Sequence, residues 1–146
     1  EFEDAKQSYS EAVAAFNSAL LIAPDSITAL NNKGIALRYL GDLQAGLSEF
    51  EDAKQSYSEA VAAFNSALLI APDYITALNN KGNALIALGD LQSNLSEEQE
   101  ALNNWQEALE MFNRCLAIAP NNDWVRNWRD FMQEFLDNLG EDSLSS

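Results

Sequence analysis

The sequence predicts an all-α chain: an α-solenoid of stacked antiparallel helix hairpins with elongated helices. The first reason is duplication. Residues 1–48 and 49–96 align without a gap and differ only at Ser26/Tyr74, Ile35/Asn83, Arg38/Ile86, Tyr39/Ala87, Ala45/Ser93 and Gly46/Asn94. A looser third copy follows, in which Trp105, Ala108, Phe112, Leu116 and Pro120 stand 48 residues beyond Tyr57, Ala60, Phe64, Leu68 and Pro72. Within each copy, apolar residues recur at spacings of three and four, as on one face of an α-helix. Units repeated at such a period bury their apolar faces only against their neighbours, and chains of this kind usually bind other chains.

The outer segment carries its stripe on Phe50, Ala53, Tyr57, Ala60, Phe64, Ala67 and Ala71, and Pro72-Asp73 stops it. The inner segment places Ile27, Leu30, Gly34, Leu37, Leu40 and Gly41 on one face, and the next copy repeats them as Ile75, Leu78, Gly82, Leu85, Leu88 and Gly89. The run Tyr57-Ser-Glu-Ala60-x3-Phe64-x2-Ala67-Leu68-x3-Pro72, then Leu78-x3-Gly82-x2-Leu85 and Gly89-Asp90-Leu91, resembles the tetratricopeptide signature over nearly the whole chain. The resemblance implies a right-handed superhelix. The period departs from it, being 48 residues here against about 34 in the family.

An extra two heptads, one on each arm, preserve both the apolar phase and the closure of a hairpin. If Gly34 meets Ala60, as the matching family residues do, then Gly41 meets Ala53, Leu37 meets Tyr57 and Leu30 meets Phe64, all mirrored about Leu47. There the sequence supplies Gly46 or Asn94, both tolerant of a left-handed backbone, followed by Ser48-x-x-Glu51 or Ser96-x-x-Gln99 as capping boxes. Each arm is then about 20 residues, or roughly 30 Å. The alternative keeps the family turn at Gly41-Asp42 and runs one long helix from Leu43 to Ala71, half of it without an inner partner.

The chain is thus expected to hold a solenoid over 1–139: the outer helix of an incomplete first unit, two full units and a capping helix at about 122–139. A flexible polar tail follows at 140–146. Glu1-Phe2 occupies the mid-repeat position of Glu49-Phe50, so the start reads as part of a longer array. Trp124 and Trp128 lie on the apolar stripe of the cap and Trp105 replaces Tyr57, which favours core packing over a ligand platform. Cys115 replaces Ala67 and reads as a small buried apolar residue.

Composition restricts the chemistry. The net charge of −15, with only eight Lys and Arg, argues against nucleic acid or an anionic membrane and favours a basic protein or peptide partner. No histidine and one cysteine leave no imidazole triad, no usual zinc set and no internal disulfide. No catalytic residue, metal ligand or cofactor is expected, and the chain is not read as an enzyme. With no bilayer-spanning stretch and no secretory pattern, the expected location is the cytoplasm, and Asn94-Leu95-Ser96 reads as a helix turn rather than a glycosylation site.

The candidate binding surface is the stripe of the inner segment opposite its packed face: Thr28, Asn31, Asn32, Ile35, Arg38 and Tyr39, then Thr76, Asn79, Asn80, Asn83, Ile86 and Ala87. The tetratricopeptide resemblance implies that the inner helices line a concave groove for a peptide or partner protein, with Asn32 and Asn80 similar to the asparagines that hold a ligand backbone in some members. Three of the six inter-copy differences fall on this stripe, whereas 1–25 and 49–73 are identical. Lys33 and Lys81, at the groove edge, are expected to bridge to nearby acids. A second reading is self-association, since Tyr9, Val13, Phe16 and Leu20 lack an inner partner before them.

Overall fold

The computed structural model describes residues 1–145, with side chains up to Asp142. Six helices follow one another: α1 (Phe2–Ile22), α2 (Ile27–Gly46), α3 (Phe50–Ile70), α4 (Ile75–Asn94), α5 (Glu98–Ile118) and α6 (Asp123–Ser145). Among the described residues there is no strand, and each helix packs on the next to form an α-solenoid of antiparallel hairpins.

Two kinds of connection alternate. After α1, α3 and α5, a proline forces the preceding alanine out of the helical region: Ala23, Ala71 and Ala119 all sit near φ −130°. Ser26 then caps α2 by accepting from the Ala29 amide at 3.2 Å, and Asn122 caps α6 by accepting from Val125 at 3.1 Å. After α2 and α4, the chain turns through a single left-handed residue, Ser48 at φ 62° and Ser96 at φ 64°. The Ser48 amide donates to the Ala45 carbonyl at 3.0 Å and the Glu49 amide to Gln44 at 2.8 Å, with the same pair in the next copy. This is the two-bond closure of a Schellman turn.

The turn at Leu47 makes the hairpins tall, and no continuous helix from Leu43 to Ala71 forms. Its details differ from the sequence reading. Gly46 and Asn94 remain helical, and the left-handed position is the serine two residues later. The capping boxes do not form, because Ser48 and Ser96 are occupied by the turn. Glu49 and Glu97 stand at the N-caps of α3 and α5, and their carboxylates accept from Lys6 at 2.8 Å and Lys54 at 2.7 Å. These hydrogen bonds raise the pKa of both lysines.

Helix α6 also departs from expectation, running on to Ser145 where a loose tail from 140 was expected. Gly140 keeps a negative φ, and a lone glycine costs a helix only about 1 kcal/mol when no proline follows. Ser146 lies outside the described residues.

The core rests on rings seated over glycines. A Cβ on Gly34 would lie 2.5 Å from the Phe64 ring, and one on Gly41 would lie 2.7 Å from Tyr57. The next hairpin repeats this with Gly82 under Phe112 at 2.8 Å and Gly89 under Trp105 at 2.6 Å. The rings reach these glycines from one turn further along, because helical side chains lean toward the N-terminus. Polar ties fix the register: Tyr57 donates to Asp42 at 2.6 Å and Ser56 to Gln44 at 2.6 Å, and the next pair is Trp105 to Asp90 at 3.1 Å and Asn104 to Gln92 at 2.6 Å. Burial and the Asp42 bond push the Tyr57 phenol well above its ordinary pKa.

Four substitutions test this geometry. Ser48→Gly and Ser96→Gly are each expected to stabilise the chain by about 1 kcal/mol, the usual cost of a side chain in the left-handed region, measured by urea unfolding. Gly34→Ala is expected to cost about 1–3 kcal/mol because the buried Phe64 ring must move. Gly46→Ala, with nothing within 4 Å of its added methyl, should instead gain up to about 1 kcal/mol.

Candidate functional site

The helices α2, α4 and α6 begin 48 residues apart, at Ile27, Ile75 and Asp123, so equivalent positions form rows across the inner layer. Helices α2 and α4 touch directly, and the Asn80 amide donates to Asn31 Oδ1 at 3.2 Å. The twelve stripe residues do not all behave alike. Thr28, Tyr39 and Thr76 are exposed, while Asn32, Ile35, Arg38, Asn79, Asn80, Asn83, Ile86 and Ala87 are half-buried. Asn31 is buried, 5% exposed, and belongs to the helix–helix contact rather than to an open wall.

Several stripe residues already have intramolecular partners. Arg38 lies 5.1 Å over the Tyr39 ring and 3.6 Å from the Asp42 carboxylate, and Tyr39 stacks on Tyr9 of α1 at 5.7 Å. Ile35 and Ile86 lean against core clusters. The Asn79 Oδ1 atom is buried without a hydrogen-bond partner among the described residues. The Asn32 side chain is half-buried and makes no hydrogen bond among the described residues.

The two lysines diverge. Lys81 is buried and pairs with Glu107 at 2.9 Å. Lys33 is half-buried beside a recess of about 250 Å³ lined also by Val13, Leu30, Glu59 and Ala63. Equivalent positions in the next hairpin carry Met111 for Ala63 and Arg114 for Ser66, so larger side chains occupy that space there.

The sequence reading missed the third row. Trp124, Asn127, Trp128 and Phe131 stand 48 residues beyond Thr76, Asn79, Asn80 and Asn83, so on α6 the polar stripe becomes aromatic. Trp124 is 51% and Phe131 59% exposed, and Trp128 is half-buried. This corrects the expectation of core packing for Trp124; Trp105, 7% exposed, is core, and Trp128 packs half-buried against the same cluster. The rings form a continuous ladder: Trp124 to Trp128 at 6.2 Å, Trp128 to Phe131 at 5.9 Å, Phe131 to Phe135 at 6.5 Å, and Phe135 to Trp105 at 5.0 Å. Trp124, Asn127, Trp128 and Phe131 line a shallow recess of about 270 Å³. The signal lay in the register, since the 48-residue offset from Thr76 lands on Trp124.

Nothing in the site suggests bond-making chemistry. Among the described residues no group of acids and thiol could hold a metal. Cys115 is fully buried, and desolvation raises its thiol pKa. None of the helices is long and apolar enough to cross a membrane. An accessible row of polar and aromatic side chains on a rigid helical array defines a protein-binding helical repeat.

The particular family is that described as Plant specific mitochondrial import receptor subunit TOM20, which matches residues 35–133. The match covers most of α2, all of α3, α4 and α5, and the aromatic turns of α6, and the chain belongs to this family. No curated protein matches the chain. The family is one of receptors, in agreement with a non-catalytic role in binding proteins. It overturns the cytoplasmic location expected from the lack of a bilayer-spanning stretch and a secretory pattern, because the family is mitochondrial.

The asparagines separate by role in a stability measurement. Asn80→Ala leaves the Oδ1 of buried Asn31 without its donor and should cost about 1–3 kcal/mol. Asn32→Ala should change the urea midpoint by no more than about 0.5 kcal/mol equivalent.

Proposed function

We propose that this chain is a tetratricopeptide-type receptor module that holds basic, amphipathic targeting segments of precursor proteins along its inner-helix surface. The observation that carries the reading is the exposed aromatic ladder of α6, in register with the polar stripes of α2 and α4. Targeting segments of mitochondrial precursors are amphipathic, rich in arginine and poor in acids. Such a segment offers an apolar face to Trp124, Trp128 and Phe131, and its cations are drawn by a chain of net charge −15. Aromatic side chains give large contact area at low entropic cost, and they can stack with guanidinium groups.

In this reading the stripes on α2 and α4 serve the polar side of the ligand. Thr28, Asn32, Tyr39, Thr76 and Asn83 offer donors and acceptors suited to a peptide backbone or polar side chains, and amides provide both in one group. Asn79 stands at the same row of the repeat, and its buried carbonyl oxygen has no partner among the described residues. The change from Ile35, Arg38 and Tyr39 to Asn83, Ile86 and Ala87 gives the two rows different chemistry, so the ligand is read with polarity.

The test is a titration with a synthetic arginine-rich amphipathic peptide, followed by tryptophan emission. Binding is expected to shift the emission, weaken with salt, and fall at least about 10-fold in affinity for Trp124→Ala combined with Phe131→Ala, a loss of about 1.4 kcal/mol. Equal binding of a scrambled peptide of the same composition, or an unchanged affinity in the double variant, would count against the reading.

A further inference from the structure

We infer that the aromatic ladder of α6 is read in one direction: a helical targeting segment lies on it antiparallel to α6, with its arginines in its N-terminal half and its bulky apolar side chains in its C-terminal half. This direction rests on the function proposed above and adds to it the order of charge and apolarity along the ligand. Its ground is a change of character along a single helix. The apolar recess of about 270 Å³ belongs to the first half of α6, where Trp124, Asn127, Trp128 and Phe131 line it. The ladder then closes on the core, because Phe135 is half-buried and meets Trp105 of α5 edge-on at 5.0 Å. Continued past Phe135, the steps of four and three residues that generate the ladder arrive at Asn138 and Asp142, both exposed.

Charge changes at the same place. Asp123, Asp130, Glu134 and Glu141 follow one another along one flank of the ladder, at helical spacings of seven, four and seven residues. Arg126 holds Asp123 and Arg129 holds Asp130, each at 2.6 Å, so the half that carries the recess is neutral. No lysine or arginine follows Arg129 on the helix, and Glu134 and Glu141 are both exposed. Helix α5 runs antiparallel to α6, and the contact of its Trp105 with Phe135 puts the α5 first turn, with Glu98 and Glu100, at this same end. The carbonyl end of the α6 dipole adds to the negative potential there.

A ligand helix meets this gradient with its side chains and with its backbone. Its aliphatic side chains fill the recess between the rings, and its arginines are drawn to the flank beyond Phe131. The positive N-terminal end of its own dipole favours the same acidic end. Side-chain charge and backbone dipole therefore agree in one arrangement, with the arginines first in the ligand and the two helices antiparallel. Glu134 and Glu141 stand seven and fourteen residues beyond Asn127, or roughly 10 and 21 Å along the axis. The arginines accordingly precede the apolar anchor by about two to four helical turns. A segment of the opposite order places its arginines where the acids already have partners and its apolar side chains where the ladder has become polar.

The probes are two synthetic amphipathic peptides of about 18 residues, long enough to span the ladder and the acidic turns beyond it. One carries arginines in its first half and leucines in its second, and the other is the same sequence reversed, both acetylated and amidated. Titrated onto the whole chain and followed by tryptophan emission, the arginine-first peptide is expected to bind at least about 5-fold more tightly. A nitroxide at its C-terminus should broaden the Trp124 indole signal, and one at its N-terminus the Gly140 amide. Glu134→Gln combined with Glu141→Gln should shrink the preference to within about 2-fold while leaving the helix content unchanged. Equal or tighter binding of the reversed peptide, labels in the opposite order, or an undiminished preference in the double variant would overturn the direction and leave the receptor role standing. Failure of both peptides to bind would overturn the two together.

Discussion

The contact on which the architecture depends is a ring lying on a bare stretch of helix backbone. Four times the chain places an aromatic residue of an outer helix over an inner-helix glycine: Phe64 on Gly34, Tyr57 on Gly41, Phe112 on Gly82 and Trp105 on Gly89. Glycine inside a helix is unfavourable by itself. Here the absent side chain lets two helices approach within ring thickness, and the fully buried Phe64 and Phe112 fill the space. Because the two glycines of each inner helix lie seven residues apart, they fall on one face two turns apart, and both ends of a tall hairpin are pinned. The aspartate beyond the second glycine anchors the ring's polar edge, whether that is a tyrosine hydroxyl or an indole N–H.

From this follows the surface available for binding. With one face of each inner helix committed to the glycine contacts, the opposite stripes are left to the inner wall of the solenoid. Helices α2 and α4 approach closely enough to share an Asn80–Asn31 bond, and that closeness removes Asn31 from the surface while leaving Asn32 on it. On α6 the glycines are gone and Asp130 and Asp137 take their place, so this helix packs on α5 without a ring-on-glycine face of its own. Released from the need to match neighbours on its stripe, it presents aromatic rings instead of amides and threonines.

The fold was legible in the sequence because a 48-residue repeat and a three-four apolar spacing have few structural solutions. The turn near Leu47, the prolines after each outer helix and the inner position of Gly34 and Gly41 all follow from those patterns. The aromatic patch was less legible. Trp124, Trp128 and Phe131 satisfy the same periodicity as core residues, and helical spacing alone does not say which side of a terminal helix has a neighbour. Register within the repeat does say it, and reading that register would have placed them beside Thr76, Asn80 and Asn83.

The amino-acid sequence by itself determined the helices and the places where the chain turns, because these depend on local propensity and apolar phase; it set Gly34 against Ala60 and Gly41 against Ala53, and the seating of Phe64 and Tyr57 over those glycines came from the tertiary structure. Only the tertiary structure decided what each helix face does. Helices α1 and α3 make the point most directly: identical in sequence, one buries eight residues and the other none. Burial belongs to the neighbour as much as to the residue, and α3 has a helix on either side whereas α1 has one. The same reason separates Lys81, paired with Glu107, from Lys33, and Trp105, closed in by Gly89 and Phe135, from Trp124 in solvent.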